Sequence, residues 1–267
     1  MNYMDKCVLI TGVSGGMGLA TAKKFISNGY KVYGLDVKVP DENLEGLTFI
    51  KTDLTKLEEV ESAFNKVKDK LDAIINTAGI YDLNSLIEIS EEDFIRIFNI
   101  NIFSIYRVNK TFLPLLKENG RIVMVSSELA PLDPLPFTGL YAITKSTIEK
   151  YAYSLRMELQ LLGYKVILIR PGAVDTGLIE ISTNKLDKFT NTTTHYQCNA
   201  KKFKQIVDSV ESKKVSPDKI ANLIYKASNI KRPRYVYQIN RNKGLLLLNM
   251  LPKSWQHKII KNILKSK

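Results

Sequence analysis

Over the first two-thirds of the chain, short runs of β-branched and other apolar residues alternate with stretches of helical spacing. This alternation is typical of βαβ units with a parallel sheet. It predicts seven strands, the last after a long gap: Cys7–Thr11, Lys31–Asp36, Thr48–Asp53, Ala73–Asn76, Arg121–Ser126, Val166–Arg170 and Arg234–Ile239. We therefore expect an α/β fold with a doubly wound parallel sheet flanked by helices.

The length and composition fit one globular domain in a reducing compartment. The chain has 267 residues, of which 45% are hydrophobic and 25% charged. Its two cysteines rule out a disulfide scaffold. The longest uninterrupted apolar runs, Leu245–Leu248 among them, are far shorter than the roughly 18 residues of a membrane span. The N-terminus does not have the pattern of a signal peptide, so we expect a cytoplasmic protein.

The net charge of +12 is concentrated at the C-terminal end. Ten of the 39 basic residues, and no acidic ones, lie from Lys231 to Lys267. The remaining 29 basic residues face 27 acidic ones, so the body of the chain is nearly neutral. A basic tail suits contact with phosphate or anionic lipid but does not define the chemistry of the body. With no recognised binding module present, we expect no nucleic-acid partner.

A glycine-rich turn follows the first predicted strand and opens the first helix. Gly12, Gly16 and Gly18 lie in the segment CVLITGVSGGMGLATAKKF. They permit a tight turn and close backbone approach, and the helix N-terminus offers free N–H groups to a pyrophosphate. Three glycines in seven residues can also be a plain loop. The position between strand and helix favours nucleotide binding.

Asp36 ends the second predicted strand, where it can accept hydrogen bonds from the ribose hydroxyls of an adenosine. Its charge would repel a 2′-phosphate by roughly 4 kcal/mol at 4 Å and an effective dielectric constant of about 20. Lys38 is the nearest basic residue on that side. The arrangement favours NAD over NADP, while the alternative is a solvated aspartate at a strand end.

Tyr141 and Lys145 are four residues apart and share one face of a predicted helix. A second such pair, Tyr106 and Lys110, is interpreted as a surface contact. Tyr141 differs because Ser127 lies 14 residues upstream, at the end of a buried strand. A phenol must lose roughly three pKa units, or about 4 kcal/mol, to act as a base near pH 7. An ammonium about 4 Å away supplies a similar amount, and Ser127 could bind the substrate oxygen.

In their order, these residues resemble the short-chain dehydrogenase/reductase family, in its shorter branch. The resemblance runs from about Cys7 to Thr176. The motifs that carry it are TGVSGGMG, Asp36, Asp53, Asn76-Thr-Ala-Gly79, Asn101 within FNINIFS, Ser127, YAITK and PGAVDT. It implies a single-domain Rossmann-type fold with the catalytic domain at residues 1–243. It also implies that Tyr141 is the general acid/base, and that Lys145 lowers the pKa of Tyr141 and binds the nicotinamide ribose. By the same resemblance, Ser127 would orient the substrate carbonyl, and Asn101 would hold a water leading to Lys145.

The same resemblance implies a set of NAD contacts. Asp53 and Leu54 would flank the adenine, Asn76 and Gly79 would line the cleft, and Thr176 would bind the carboxamide. The full expected set consists of Gly12, Ser14, Gly16, Met17, Gly18, Asp36, Asp53, Leu54, Asn76, Ala78, Gly79, Tyr141, Lys145, Pro171, Gly172, Val174 and Thr176.

The sequence departs from the family pattern in two places. Thr77 stands where the family usually has a second Asn. The spacing from serine to Tyr141 is one residue longer than usual, which leaves Ser126 or Ser127 as candidates; we favour Ser127. The insert between Ser127 and Tyr141 contains three prolines and is expected to form a stiff wall of the substrate pocket. Outside the family context, Asn101 would be read as a helix cap or a surface residue.

Residues 177–215 are predicted to form a loop that acts as a substrate lid. The helical pattern weakens there, and apolar residues are spread among polar ones: Leu178, Ile179, Ile181, Leu186, Phe189, Tyr196 and Phe203. Such a lining suits a bulky hydrophobic alcohol or ketone, although these residues could merely pack the lid. The segment SLRMELQLLGYKVILIRPG resembles the hydroxysteroid and retinol dehydrogenase groups, which suggests a steroid-like or retinoid-like substrate.

Residues 244–267 are predicted to form a basic amphipathic helical tail. Apolar residues recur there at helical spacing between lysines. The tail could pack on its own subunit or a partner, or dock on an anionic membrane surface. His195 and His257 do not have metal-ligand spacing, and we expect no metal.

We therefore expect an NAD-dependent oxidoreductase that interconverts a secondary alcohol and a ketone. The alternative is a non-catalytic NAD sensor or membrane-surface adaptor on the same fold. By resemblance alone, we expect a homo-oligomer, a dimer or a tetramer, formed through the helices around Asn101 and Tyr141.

Overall fold

The computed structural model contains one seven-stranded sheet. It describes residues 6–211 and 214–265, and the side chains of 178–185 and 210–211 lie outside the description. All paired strands are parallel, in the order β3-β2-β1-β4-β5-β6-β7. The strands are β1 Cys7–Thr11, β2 Lys31–Asp36, β3 Leu47–Lys51, β4 Leu71–Asn76, β5 Leu116–Val125, β6 Lys165–Pro171 and β7 Val236–Ile239. The predicted doubly wound parallel sheet is confirmed.

Helices cover both faces of the sheet. They are α1 Gly16–Ile26, α2 Leu57–Lys66, α3 Glu91–Phe98, α4 Ser104–Phe112, α5 Gly139–Leu159, α6 Gly177–Thr192, α7 Gln197–Glu211, α8 Pro217–Asn229, α9 Lys243–Asn249 and α10 Lys253–Leu264. One buried cluster joins the sheet to α2, α4 and α5, and a second joins its other face to α1 and α8. Burial on both faces explains why the central strands are continuously apolar.

β1 and β2 have the predicted boundaries, and the other five strands differ from the prediction, mostly by one or two residues. β5 begins at Leu116, before the predicted Arg121, because its first half is polar and its pairing with β4 shifts register between Leu71 and Ala73. β3 ends at Lys51 rather than Asp53. An irregular start of this kind leaves no alternating pattern in the sequence.

The predicted lid is not a loop. Helices α6 and α7 fill most of residues 177–215, and Leu186, Phe189 and Phe203 are buried between them and the body. The polar stretch around Asn191 ends one helix and leads to the next. The side chains of Leu178, Ile179 and Ile181 lie outside the described residues. The prediction was wrong because these helices expose polar faces that mask their apolar spacing.

The C-terminal tail packs on its own chain. Leu264 of α10 is buried in a cluster with Leu83 and Phe203, and Asn199 Nδ2 of α7 donates a hydrogen bond to the Leu264 carbonyl. Gln256 is buried and donates to the Leu251 carbonyl at 2.9 Å. This arrangement corresponds to the first of the two interpretations of the tail. Within the described part of the chain, no helix combines the length and apolar character needed to cross a bilayer.

Candidate active site

A crevice opens at the carboxyl ends of the strands, where the strand order reverses between β1 and β4. The turn from β1 to α1 forms one side of it. Gly12 has a φ of 70°, and a Cβ on this residue would lie 2.8 Å from the backbone of Ala78. A Cβ on Gly18 would lie 2.0 Å from the Gly12 carbonyl oxygen. The turn therefore requires glycine at both positions.

The N-terminus of α1 is open to a ligand. Its N-cap residue is Gly15, which provides no side-chain cap, and its first turn has no acidic residue. A Cβ on Gly16 would lie 2.8 Å from the Thr176 side chain, so Thr176 closes over the turn. The free first-turn N–H groups and the positive end of the helix dipole suit a pyrophosphate. This cradle fits a dinucleotide, which the amides of Gly16, Met17 and Gly18 would hold.

Asp36 lies against this turn. Its Oδ2 accepts a hydrogen bond from the Ser14 N–H at 3.0 Å, and its Oδ1 accepts one from the Lys38 N–H at 3.2 Å. The carboxylate is thereby fixed at the end of β2, beside the site where an adenosine ribose would lie.

The side chains expected around the adenine end differ in placement. Leu54 is buried behind β3, and Asp53 Oδ1 accepts hydrogen bonds from the N–H and the Oγ1 of Thr55. Asn76 is fully buried, and its Nδ2 donates to Asn109 Oδ1 at 2.9 Å. The sequence predicted that Asn76 lines the cleft. Its side chain instead points into the core of the protein. An asparagine at the last position of a strand can face either way, and the sequence does not reveal which.

Tyr141 and Lys145 face the cleft from the first turns of α5. Ser127, which follows β5, lines the same cleft, and its hydroxyl lies near enough to Tyr141 to act on the pKa of the phenol. Ser127 Oγ also accepts a hydrogen bond from the Leu129 N–H at 3.1 Å. Lys145 is buried, and its Nζ lies 5.6 Å from the centroid of the Tyr141 ring. The same Nζ donates a hydrogen bond to the Val125 carbonyl at 3.2 Å. The structure thus brings the three predicted catalytic side chains together.

The two serine candidates have different partners. Ser126 Oγ donates to Glu149 Oε1 at 3.1 Å, and this carboxylate also pairs with Arg170 Nε at 2.6 Å. Ser127 is the serine whose hydroxyl acts on the pKa of Tyr141. The geometry therefore favours Ser127 as the residue that contacts a substrate oxygen.

Burial controls the protonation of the pair. It raises the pKa of Tyr141 to about 12, while the Ser127 hydroxyl lowers this pKa and the Glu128 charge raises it further. It lowers the pKa of Lys145 to about 8. The pKa of Tyr141 thus departs in the opposite direction from the one expected from Lys145. The cause is that both groups lose hydration, while the ammonium is directed at the Val125 carbonyl.

Asn101 is neither a helix cap nor a surface residue. It lies in a π-helical turn, Asn99–Phe103, and its side chain is buried. Its Oδ1 accepts from the Ile80 N–H at 2.8 Å, and its Nδ2 donates to the Ile80 carbonyl at 3.0 Å. A Cβ on Gly79 would lie 3.3 Å from Asn101 Oδ1 and 3.6 Å from Lys145 Nζ. Asn101 therefore fixes the loop after β4 beside Lys145.

The cleft next to Tyr141 has mostly apolar walls and encloses about 1160 Å³, its open mouth included. Six of the predicted cofactor residues line it besides Tyr141 and Lys145: Met17, Gly79, Pro171, Gly172, Val174 and Thr176. The insert contributes Leu129 and Leu135, as expected for a pocket wall, and α7 contributes Phe203. Sequence reasoning missed Glu128 and Leu245. The position of Glu128 directly after Ser127 was a usable signal, whereas no local pattern places Leu245 there.

Residues 6–187 match the family model of the short chain dehydrogenases. The chain belongs to the short-chain dehydrogenase family, whose members are oxidoreductases that use a nicotinamide cofactor.

Individual relatives show how far the likeness extends. Estradiol 17-beta-dehydrogenase 2 of Mus musculus is 35% identical over 191 residues, which are 65% of this chain and 49% of that protein. The 3-ketodihydrosphingosine reductase of Bacteroides thetaiotaomicron is 28% identical over 233 residues, 85% of each chain. A solved short chain dehydrogenase family protein from Francisella tularensis subsp. tularensis SCHU S4 has a TM-score of 0.74 at 25% identity, covering 88% of this chain and 96% of that one. The chain thus spans about half the length of the estradiol dehydrogenase it matches.

Proposed function

We propose that the protein is an NAD-dependent oxidoreductase that interconverts a secondary alcohol and a ketone, with Tyr141 as the general acid/base. The observation that carries the proposal is the meeting of Ser127 and Tyr141, with Lys145 one helical turn away, in an apolar cleft that adjoins the glycine turn. A purely binding module does not need a buried phenol and ammonium, since burying them has a cost in free energy.

The nicotinamide, when bound, accepts or supplies the hydride with its two electrons. In oxidation, Tyr141 takes the hydroxyl proton of the alcohol as the carbon loses its hydride. Ser127 donates a hydrogen bond to the same oxygen and keeps it near the Tyr141 hydroxyl. Lys145 supplies positive charge on the same side of the cleft and favours the ionised phenol. In reduction, Tyr141 returns the proton to the carbonyl oxygen.

NAD is the proposed cofactor because of Asp36. Its carboxylate is fixed next to the glycine turn by the N–H groups of Ser14 and Lys38. Two acceptor oxygens there suit two ribose hydroxyls, and the negative charge disfavours a 2′-phosphate.

The proposed substrate is a bulky hydrophobic alcohol or ketone, such as a steroid-like or retinoid-like molecule. Leu129, Leu135, Phe203 and Leu245 give the cleft apolar walls. Two similar proteins are named for hydrophobic substrates, estradiol in one and 3-ketodihydrosphingosine in the other. An apolar enclosure of this kind favours ligands that leave water readily.

We also propose a homo-oligomer that buries the outer faces of α4 and α5. Large apolar side chains are exposed along the π-helical turn and these two helices: Phe103, Tyr106, Ile143, Tyr153 and Met157. An apolar face of this extent is typical of a protein interface.

Peripheral contact with an anionic membrane is proposed for the tail. Leu247, Met250 and Trp255 are at least 59% exposed, in a segment that is rich in lysine and free of acidic residues. Such a surface suits shallow insertion among anionic lipids.

In a co-sedimentation experiment, vesicles that contain phosphatidylserine should bind the wild type and should not bind the Met250→Glu variant. Ile87→Glu, on an equally exposed residue elsewhere, is the control. Equal sedimentation of both variants would dismiss the contact.

The test of the proposed function is NADH formation from NAD with a panel of hydroxysteroids, retinol and simple secondary alcohols. We expect turnover of at least one bulky secondary alcohol, with NAD preferred to NADP. Binding of NADH with no turnover across the panel would contradict the proposed reaction and favour a sensor on the same fold.

A further inference from the structure

Glu128 places a carboxylate in the cleft, directly after Ser127. Its backbone is fixed because its N–H donates to the Pro171 carbonyl at 2.8 Å. Its Oε2 accepts a hydrogen bond from the Asn242 N–H at 2.6 Å. Its Oε1 lies 3.0 Å from where a Cβ of Gly172 would stand, and Gly172 lines the cleft. One oxygen is thus used by the backbone just before α9, and the other lies beside Gly172 in the wall of the cleft.

The proposed reaction does not use this charge. A partly buried carboxylate costs free energy unless a cation or hydrogen-bond donors compensate it. Among the described residues that line the cleft, Lys145 is the single basic one, and its Nζ is bonded to the Val125 carbonyl. Burial raises the pKa of Glu128, against the lowering effects of the Asn242 N–H and of the Arg241 charge outside the cleft lining. No described residue, Arg241 included, donates a hydrogen bond to Glu128 Oε1. The carboxylate therefore has one oxygen to offer to a ligand.

The Glu128 charge also opposes catalysis when it is uncompensated. It contributes to the raised pKa of Tyr141, since a nearby negative charge disfavours a phenolate. A cation bound at Glu128 would cancel this effect. Such a cation would make the site more reactive towards the substrate that carries it than towards a neutral analogue.

We propose, on the basis of the proposed function, that Glu128 binds an ammonium group of the substrate close to the reacting carbon. The substrate class is then a hydrophobic amino alcohol or amino ketone. Its oxygen would lie at Ser127 and Tyr141, its ammonium at Glu128 Oε1, and its hydrocarbon portion against Leu135 and Phe203. A charge-assisted hydrogen bond of this kind increases the binding affinity about 10- to 100-fold.

Binding provides a test that does not depend on turnover. Calorimetric titrations would compare octylamine with octanol on the wild type, Glu128→Gln and the control Glu118→Gln, an exposed carboxylate on β5. The glutamine at position 128 keeps an oxygen that can accept from the Asn242 N–H and removes only the charge. We expect the wild type and the control to prefer the amine about tenfold or more. Glu128→Gln should lose this preference. An equal preference in all three proteins would overturn the proposal.

Turnover separates this inference from the proposed function. The substrates would be 2-aminooctan-3-ol and octan-3-ol, with NAD. We expect Glu128→Gln to lower the ratio of kcat/KM for the amino alcohol to kcat/KM for the plain alcohol about tenfold or more. If the wild type and the variant oxidise each alcohol at the same rate, the ammonium site is overturned and the proposed function stands. Selective amine binding without any oxidation would support the site and contradict the proposed reaction.

Discussion

Asp36 combines a negative charge with two accepted hydrogen bonds, and the two contributions can be separated. In Asp36→Asn, the amide oxygen can still accept from the Ser14 N–H, while the charge is removed. The residue is half-buried, so solvent screens part of the repulsion of a 2′-phosphate. We expect the ratio of kcat/KM for NAD to that for NADP to fall about tenfold. An unchanged ratio would remove Asp36 from cofactor selection.

Lys145 predicts a pH dependence of stability. Burial lowers its pKa from the ordinary 10.5 to about 8, so between these values the unfolded chain binds more protons than the folded one. Folded stability therefore rises with pH across that window, by up to about 3 kcal/mol. Tyr141, with its pKa raised to about 12, acts in the opposite direction, but only above about pH 10.

The measurement is urea unfolding of the wild type and Lys145→Met at pH 7.5, 8.5 and 9.5. The difference between the two proteins isolates the contribution of Lys145. We expect the stability of the wild type relative to the variant to increase over this range. A constant difference would show that Lys145 is not desolvated as described.

At this scale, the sequence predicted identities better than orientations. The meeting of Tyr141, Lys145 and Ser127 at one cleft could be predicted, because the helix fixes the spacing of the first two and Ser127 follows a buried strand. The inward direction of Asn76 depends on Asn109, 33 residues later, which no local pattern indicates. The raised pKa of Tyr141 also depends on burial by distant segments, which the sequence does not reveal.

Leu264 is the one apolar side chain of helix α10 that is buried. Leu264 lies in the cluster with Leu83 and Phe203, whereas its neighbour Ile263 is 52% exposed. Leu264→Ala should weaken the docking of the helix by about 2 kcal/mol or more, and Ile263→Ala should have little effect. Trp255, the one tryptophan of the chain, lies in α10 and reports its undocking by fluorescence during heating. Equal fluorescence transitions in the two variants would contradict this packing.

Whole elements were predicted where their periodicity is local. The glycine turn and the first strands and helices show clear spacing, and the structure has them near the predicted positions. Helices α6 and α7 were predicted to be a loop. Their apolar residues contact the insert and α10 rather than a continuous face of the sheet, so the sequence shows no clear helical spacing there. Tertiary partners decide such segments, and the sequence does not name those partners.

The whole molecule exposes an apolar face on α4 and α5 that a second copy would cover. Met157 on α5 is 48% exposed, and a lysine there would place a charge in the proposed interface. We expect Met157→Lys to shift the protein towards monomer in size-exclusion chromatography with light scattering. Met250→Lys, at an exposed residue of the tail, should leave the oligomer intact. A wild-type monomer, or an unchanged assembly in Met157→Lys, would contradict the proposed interface.

The order of the strands illustrates the limit at the scale of the molecule. Seven strands and their parallel pairing could be predicted from the alternation of strands and helices. The reversal of order between β1 and β4 creates the crevice in which the glycine turn and Tyr141 meet. No local pattern specifies that order, and only the resemblance to the family suggested it.

The central claim is that the Tyr141 hydroxyl transfers the proton in alcohol oxidation and ketone reduction. The most direct measurement is kcat of Tyr141→Phe together with its affinity for NADH. The phenylalanine can keep the edge-on contact with the Tyr81 ring, 4.6 Å away between centroids, and removes only the hydroxyl. Tyr106→Phe is the matched control, because Tyr106 pairs with Lys110 at the same spacing outside the cleft, and phenylalanine keeps an aromatic ring in the proposed interface.

We expect turnover of Tyr141→Phe to fall about 100- to 10,000-fold with NADH affinity unchanged, and Tyr106→Phe to behave like the wild type. Turnover of Tyr141→Phe comparable to that of the wild type would contradict the role assigned to this residue.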